Sequence, residues 1–157
     1  MAIEIERKFL VLGDDWRQTA GSPLLLRQAY LLNGERTSIR VRTDDSGEAF
    51  LTIKTAQAGS TRAEFEYPIP HHEALQLLEL RTGSVIDKRR YRLAHEGHVW
   101  EIDEFTGDNE GLVIAEIELE DADEAFAKPS WAGREVTDEV QYFNASLARL
   151  PFRQWGR

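Results

Sequence analysis

Cysteine is absent from this chain, which removes disulfides, thiolate nucleophiles and cysteine-bound metals from consideration. Histidine is sparse, at four residues, so a zinc centre is not expected either. No apolar run approaches the roughly 20 residues a membrane-spanning helix needs, and the amino terminus is acidic rather than basic. The expectation is a cytosolic (cytoplasmic) protein with no anchor, no export signal and no membrane partner. Basic residues are in deficit, 19 Lys and Arg against 28 Asp and Glu, for a net charge of -9. That balance argues against general nucleic-acid binding, which rests on neutralising phosphates. It leaves room for a small polyanion held in a local basic cluster. Serine-nucleophile and glycine-loop phosphate motifs are missing, as are internal repeats and low-complexity tracts.

What is present is one domain, residues 1–157, long enough to bury a sizeable core. Alternating patterns predict strands at 3–11, 24–32, 36–44, 48–55, 62–69, 84–94, 98–106 and 112–120. Hairpin signals stand at Asp44-Asp45-Ser46-Gly47, Glu96-Gly97 and 107–111. Helical patterns fall at 14–20, 71–81, 122–127 and 142–150; the second follows Pro70 and carries Leu75, Leu77, Leu78 and Leu80. The class is α+β, with an antiparallel, barrel-like sheet and a few covering helices.

Residues two apart on a strand share a face, and seven of the eight expected strands carry a charged row opposite an apolar one. The rows are Glu4/Glu6/Lys8, Arg40/Arg42, Lys54 beside Thr52, Glu64/Glu66, Lys88/Arg90/Arg92, Glu101/Asp103 and Glu116/Glu118. For a single strand, a charged row is simply a solvated face. Across seven strands that explanation strains, because acidic and basic rows are both abundant and often segregated by sign. A closed barrel with a polar interior gathers both sets around one lumen, its apolar outside covered by the helices at 71–81 and 122–127. Such an interior has a use only if something charged occupies it.

The order of these motifs resembles the CYTH, or triphosphate tunnel metalloenzyme, superfamily. Its Glu-x-Glu-x-Lys signature matches Glu4-Ile5-Glu6-Arg7-Lys8, and its later motifs match Arg40-Val41-Arg42, Lys54, Glu64-Phe65-Glu66, Lys88-Arg89-Arg90, Glu101-Ile102-Asp103 and Glu116-Ile117-Glu118. The resemblance spans nearly the whole chain, through a closing Glu-Val-Thr and Tyr-Phe-Asn. Gln141 departs from the pattern, standing where related sequences more often place a basic residue. The resemblance implies a closed antiparallel eight-stranded β-barrel, the triphosphate tunnel.

A triphosphate needs several fixed cations, and Lys8, Arg40, Arg42, Lys54, Lys88 and Arg90 are the expected set. A hard divalent cation takes carboxylate and phosphate oxygens, so Mg²⁺ or Mn²⁺ is expected on Glu4, Glu6, Asp103, Glu116 and Glu118. Glu64, Glu66 and Asp103 are candidates to orient the attacking water or hold a second metal. The family's Gln-x-Tyr matches Gln28-Ala29-Tyr30, and the resemblance sets Tyr30 beside Lys8, which makes both candidate catalytic groups. The leading function is metal-dependent hydrolysis of a linear triphosphate, with inorganic tripolyphosphate foremost. Alternatives on the same fold are a class IV type adenylate cyclase and a thiamine triphosphatase; one of another class is a non-catalytic polyphosphate-binding module. The family is also compatible with a homodimer. His71, His72, His95 and His98 read as surface or turn residues, and Trp131, Phe152 and Trp155 as packing groups.

Overall fold

The computed structural model describes residues 2–55 and 61–156. Its core is a barrel of eight antiparallel strands: β1 (Ala2–Val11), β2 (Leu24–Asn33), β3 (Thr37–Asp44), β4 (Ala49–Thr55), β5 (Thr61–Pro68), β6 (Thr82–His95), β7 (His98–Thr106) and β8 (Val113–Leu119). Neighbours run β5-β4-β3-β2-β6-β7-β8-β1, and β1 pairs back onto β5 to close the ring. The turns have the expected chemistry. Asp44 Oδ1 accepts from the backbone N–H groups of Ser46 and Glu48, and Gly47 takes φ 93°. Glu96 and Gly97 both have positive φ, as a two-residue hairpin of type I′ demands.

Closure turns the two faces of every strand into an inside and an outside. The outside carries apolar patches covered in two places, beside ion pairs such as Arg27–Asp87 and Arg89–Glu104. Helix α1 (His71–Leu78) lays Ala74 and Leu78 on Ala29, Val41 and Ala49 of β2–β4. Over β1, β7 and β8 the cover is aromatic: Phe126 and Trp131 pack edge-on against Trp100, and Trp16 against Tyr91. The inside is charged along most of its length and apolar at one end. There Leu10, Ile86, Phe105 and Ile114 continue the inward rows of Lys8, Lys88, Asp103 and Glu116 two residues on, and pack under Leu147 and Ala148 of helix α2 (Asn144–Arg149).

Four helical expectations need correction. Residues 122–127 form no helix. Glu124 is drawn to His98 Nε2 at 2.6 Å and to the N–H of Glu120 at 2.7 Å, Phe126 is inserted among Phe9, Trp100 and the Arg7 guanidinium, and Pro129 closes the segment. These tertiary anchors outweigh a short run of good helix formers. The segment 14–20 is only a 3₁₀ turn over Asp15–Gln18, pinned by Trp16, whose indole donates to Gly13 O at 3.1 Å. α1 stops at Leu78, and the last helix is split into a 3₁₀ turn at Val140–Tyr142 followed by α2. An unexpected ninth strand, β9 (Ala132–Glu135), pairs with Phe9 and Val11 of β1 on the flank that β5 leaves after Ile5. Among the described residues no helix is long and apolar enough to cross a membrane.

Candidate active site

The inward rows enclose a cavity of about 830 Å³ whose lining includes Glu4, Glu6, Lys8, Arg40, Arg42 and Lys54. Glu64, Glu66, Lys88, Arg90, Glu116 and Glu118 complete the expected set on its walls. Period-two alternation on seven strands of a closed barrel therefore gathers nearly all of the proposed groups around one space.

The basic wall has more charge than its partners neutralise. Arg42 makes no ion pair among the described residues; its guanidinium lies 5.7 Å from the Phe50 ring. Burial, and then repulsion from Arg40 and Arg90, pull its pKa down to about 10. Arg40 donates to Thr52 Oγ1 at 3.3 Å and sits 3.8 Å from Glu66, yet its buried Nε has no hydrogen-bond partner among the described residues. Arg90 is better held. It forks onto Asp103 at 2.8 and 2.9 Å, and although burial opposes its charge, Asp103 keeps its pKa well above the ordinary value. Lys88, 2% exposed, meets Asp103 Oδ2 at 2.8 Å and Asn144 Oδ1 at 2.9 Å. Burial nevertheless lowers it to about 8, with Arg90 pushing the same way.

The acidic wall has the opposite deficit. Glu6 lies across from Glu118 on neighbouring strands, and burial, then Glu116 and Glu4, push its carboxyl up to about 8. Glu118 is raised by burial and by Glu4 and Glu101. Glu4 is raised too, by burial and by Glu64, even though Lys54 Nζ reaches it at 2.9 Å. Glu116 is the exception: burial works against its charge, but Lys8 at 3.3 Å, with Arg90 and Lys88 behind it, holds it well below the carboxylate range. A protonated Glu6 donates to that carboxylate. Lys54 bridges the walls, lying also 3.4 Å from Glu64.

This wall makes a testable statement about stability. An unfolded glutamate releases its proton near 4.5, whereas folded Glu6 keeps it to about 8. Between those values the folded state holds more protons, so stability falls as pH rises. Thermal melts of chelator-treated protein are expected to lose at least about 2 kcal/mol from pH 5 to pH 8, several degrees in Tm, with a much smaller slope in Glu6→Gln. A flat wild-type profile would contradict the assignment.

Two expected residues sit differently from the rest of the set. Asp103 is buried beneath Lys88 and Arg90, both its oxygens taken by them, and does not line the cavity. Tyr30 does line it, but belongs to the apolar end with Ile86, Phe105 and Leu147, and among the described residues Lys8 pairs with Glu116 rather than with Tyr30. Conversely, Arg62, Phe143 and Asn144 line the cavity although none was among the expected site residues, the last two lying in the closing Tyr-Phe-Asn of the resemblance. Arg62 was within reach: it stands two residues before Glu64 and so shares its face. Its buried Nε has no hydrogen-bond partner among the described residues, and its guanidinium lies 4.9 Å from the Phe143 ring, which also faces Lys8 Nζ at 5.4 Å. Phe143 and Asn144 come from the far end of the chain, and no local pattern points them inward. No group of three or more His, Asp or Glu among the described residues is already drawn together in metal-binding geometry.

A closed barrel with a cation-rich wall short of anions, facing a carboxylate wall short of cations, defines a receptor for a small polyanion together with a hard metal ion. The chain belongs to the CYTH domain family, whose model matches residues 2–150. It is 46% identical over 157 residues to an inorganic triphosphatase of Acetivibrio thermocellus, covering 99% of both chains. It is 37% identical over 149 residues to an inorganic triphosphatase of Nitrosomonas europaea, covering 92% of this chain and 96% of the relative. A crystal structure of an inorganic triphosphatase superposes with a TM-score of 0.65 at 34% identity, covering 94% of this chain and 95% of that one.

Proposed function

We propose that this protein hydrolyses inorganic tripolyphosphate with the help of a divalent cation. The observation that carries the reading is the matched pair of deficits: Arg42 makes no ion pair among the described residues and is pressed by burial, Arg40 and Arg90 more than Glu66 and Asp103 relieve it, while burial and neighbouring carboxylates penalise the charge of Glu4, Glu6 and Glu118. A metal-bound triphosphate relieves both at once. Arg40, Arg42, Arg90, Lys88 and Lys8 bind the phosphate oxygens, with Arg62 and Lys54 completing the cationic lining. Two inorganic triphosphatases, at 46% and 37% identity, support the choice of substrate.

Glu4, Glu6, Glu116 and Glu118 fit a hard divalent ion, since they offer only oxygen donors and two of them, Glu6 and Glu118, have their charge penalised by burial and by other members of the set. When bound, Mg²⁺ or Mn²⁺ neutralises charge on the phosphoryl oxygens and polarises them as a Lewis acid. Glu64 and Glu66 orient the attacking water and take up its proton. Water oxygen bonds to a terminal phosphorus as the bond from that phosphorus to the bridging oxygen breaks, leaving orthophosphate and pyrophosphate. Arg40, Arg42 and Arg90 stabilise the charge gathering on the transferred and leaving groups. Asp103 acts from beneath, orienting Arg90 and Lys88.

The test is a panel of tripolyphosphate, ATP and thiamine triphosphate, each assayed with several divalent ions. Phosphate release is expected to be fastest from tripolyphosphate and lost with chelator; cyclic AMP with pyrophosphate from ATP would replace this reading with a cyclase. Arg62→Ala is expected to raise KM for tripolyphosphate about tenfold with a smaller change in kcat, the signature of binding shared by ground and transition states. An unaltered KM would remove Arg62 from the site.

A further inference from the structure

α2 contributes a polar contact at the floor of the cavity that the charged rows did not call for. Asn144 Oδ1 accepts from Lys88 Nζ at 2.9 Å and from Gln28 Nε2 at 3.0 Å. An ammonium has three donors. Asp103 takes one at 2.8 Å, Asn144 takes the second, and the third is left for the cavity. Lys88 is 2% exposed and Gln28 fully buried, so bulk water is poorly placed to replace the Asn144 oxygen.

α2 is itself firmly seated. Asn33 Nδ2 donates to Ala145 O at 2.8 Å, and Arg149 Nη2 donates to Asn33 O and Oδ1 at 2.7 and 2.6 Å. Gly83, at φ +75°, lets β6 approach so closely that a Cβ there would lie 2.6 Å from Ala148 O. One residue before Asn144, the Phe143 ring faces Lys8 and Arg62. The same short segment thus touches three of the cations lining the cavity.

We propose that Asn144 is a positioning residue: it acts through Lys88, fixing the direction of the ammonium that meets the phosphate chain. Its consequence for turnover rests on the triphosphatase reading; its geometry does not. The chain has four lysines, Lys8, Lys54, Lys88 and Lys128, so ¹⁵N-lysine labelling of metal-free, substrate-free protein gives a readable Nζ spectrum, assigned with Lys88→Arg. Wild type is expected to show a Lys88 ammonium protected from solvent exchange. Asn144→Ala, without the acceptor, is expected to exchange at least about tenfold faster, and Asn144→Asp, which keeps an oxygen there, to stay within about twofold of wild type. In turnover, kcat/KM for tripolyphosphate should fall about tenfold in Asn144→Ala and recover in Asn144→Asp. Equal protection in wild type and Asn144→Ala, an unprotected wild-type Lys88, or fast exchange in Asn144→Asp would each overturn the proposal. Should Asn144→Ala not fold, Asn144→Ser, whose shorter side chain also withdraws the acceptor, takes its place with the same expected and overturning results. A wild-type protein that hydrolyses no triphosphate sinks the functional reading instead, and the exchange measurement stands apart from that result.

Discussion

Arg42→Met is expected to lower kcat/KM for tripolyphosphate by about 10²–10³-fold while making the ligand-free protein more stable. The activity loss is that of one preorganised, charge-assisted contact to an oxyanion in a confined site. The gain in stability follows from what the guanidinium lacks. Its pKa is pulled to about 10 by burial and by Arg40 and Arg90, so keeping it charged costs folding free energy that Glu66 and Asp103 return only in part. Methionine fills similar space without the charge. After discounting for partial exposure and side-chain relaxation, a gain of about 1 kcal/mol is expected, read as a rise of a few degrees in Tm without metal or phosphate. Added tripolyphosphate should reverse the ranking, stabilising wild type far more than the variant. A variant that melts lower and still turns over would show that Arg42 is a structural group.

The largest loss of stability is expected from Asp103→Asn. Its carboxylate is the shared partner of Arg90 and Lys88 in a buried triad, and removing one member strands two cations. Breaking a buried pair in this way costs about 3–5 kcal/mol, enough to lower Tm by more than about 10 °C in a chain of this size. The defect should shrink with rising pH. Lys88, already lowered to about 8, drops further without Asp103 and is buried neutral by pH 9 at little cost. Denaturant unfolding at pH 6.5 and pH 9 measures both effects. The metal-ligand role that the motif order suggests makes the opposite forecast: Asp103→Asn would leave the chelated protein as stable as wild type and weaken only its metal affinity.

That contrast shows where the residue pattern stops being informative. Alternation with a period of two marks which side chains share a face, and on a closed barrel sharing a face means sharing the lumen. This is why Glu4, Arg40, Lys54, Glu64, Lys88 and Glu116 could be gathered from positions spread across 113 residues of sequence. Depth along the axis has no such marker. Asp103 and Glu101 stand on the same face in the same motif, yet Glu101 lines the cavity and Asp103 lies beneath its floor of cations. Tyr30 likewise falls at the level where the inward rows turn apolar under α2. Residues 122–127 look helical in isolation and are held irregular by His98, Trp100 and Arg7, all distant in sequence. Asn144 reaches Lys88 across 56 residues, through a contact that only the folded chain creates.

The proposed reaction is cleavage of a linear triphosphate within the barrel when a divalent ion is supplied. ³¹P NMR of tripolyphosphate incubated with purified protein, with and without Mg²⁺ or Mn²⁺, tests this most directly. The expected result is equal molar appearance of orthophosphate and pyrophosphate only when metal is present, abolished in Glu118→Ala. Tripolyphosphate that binds but stays intact with every divalent ion, with Glu118→Ala behaving as wild type, would mark the protein as a polyanion receptor and contradict the account.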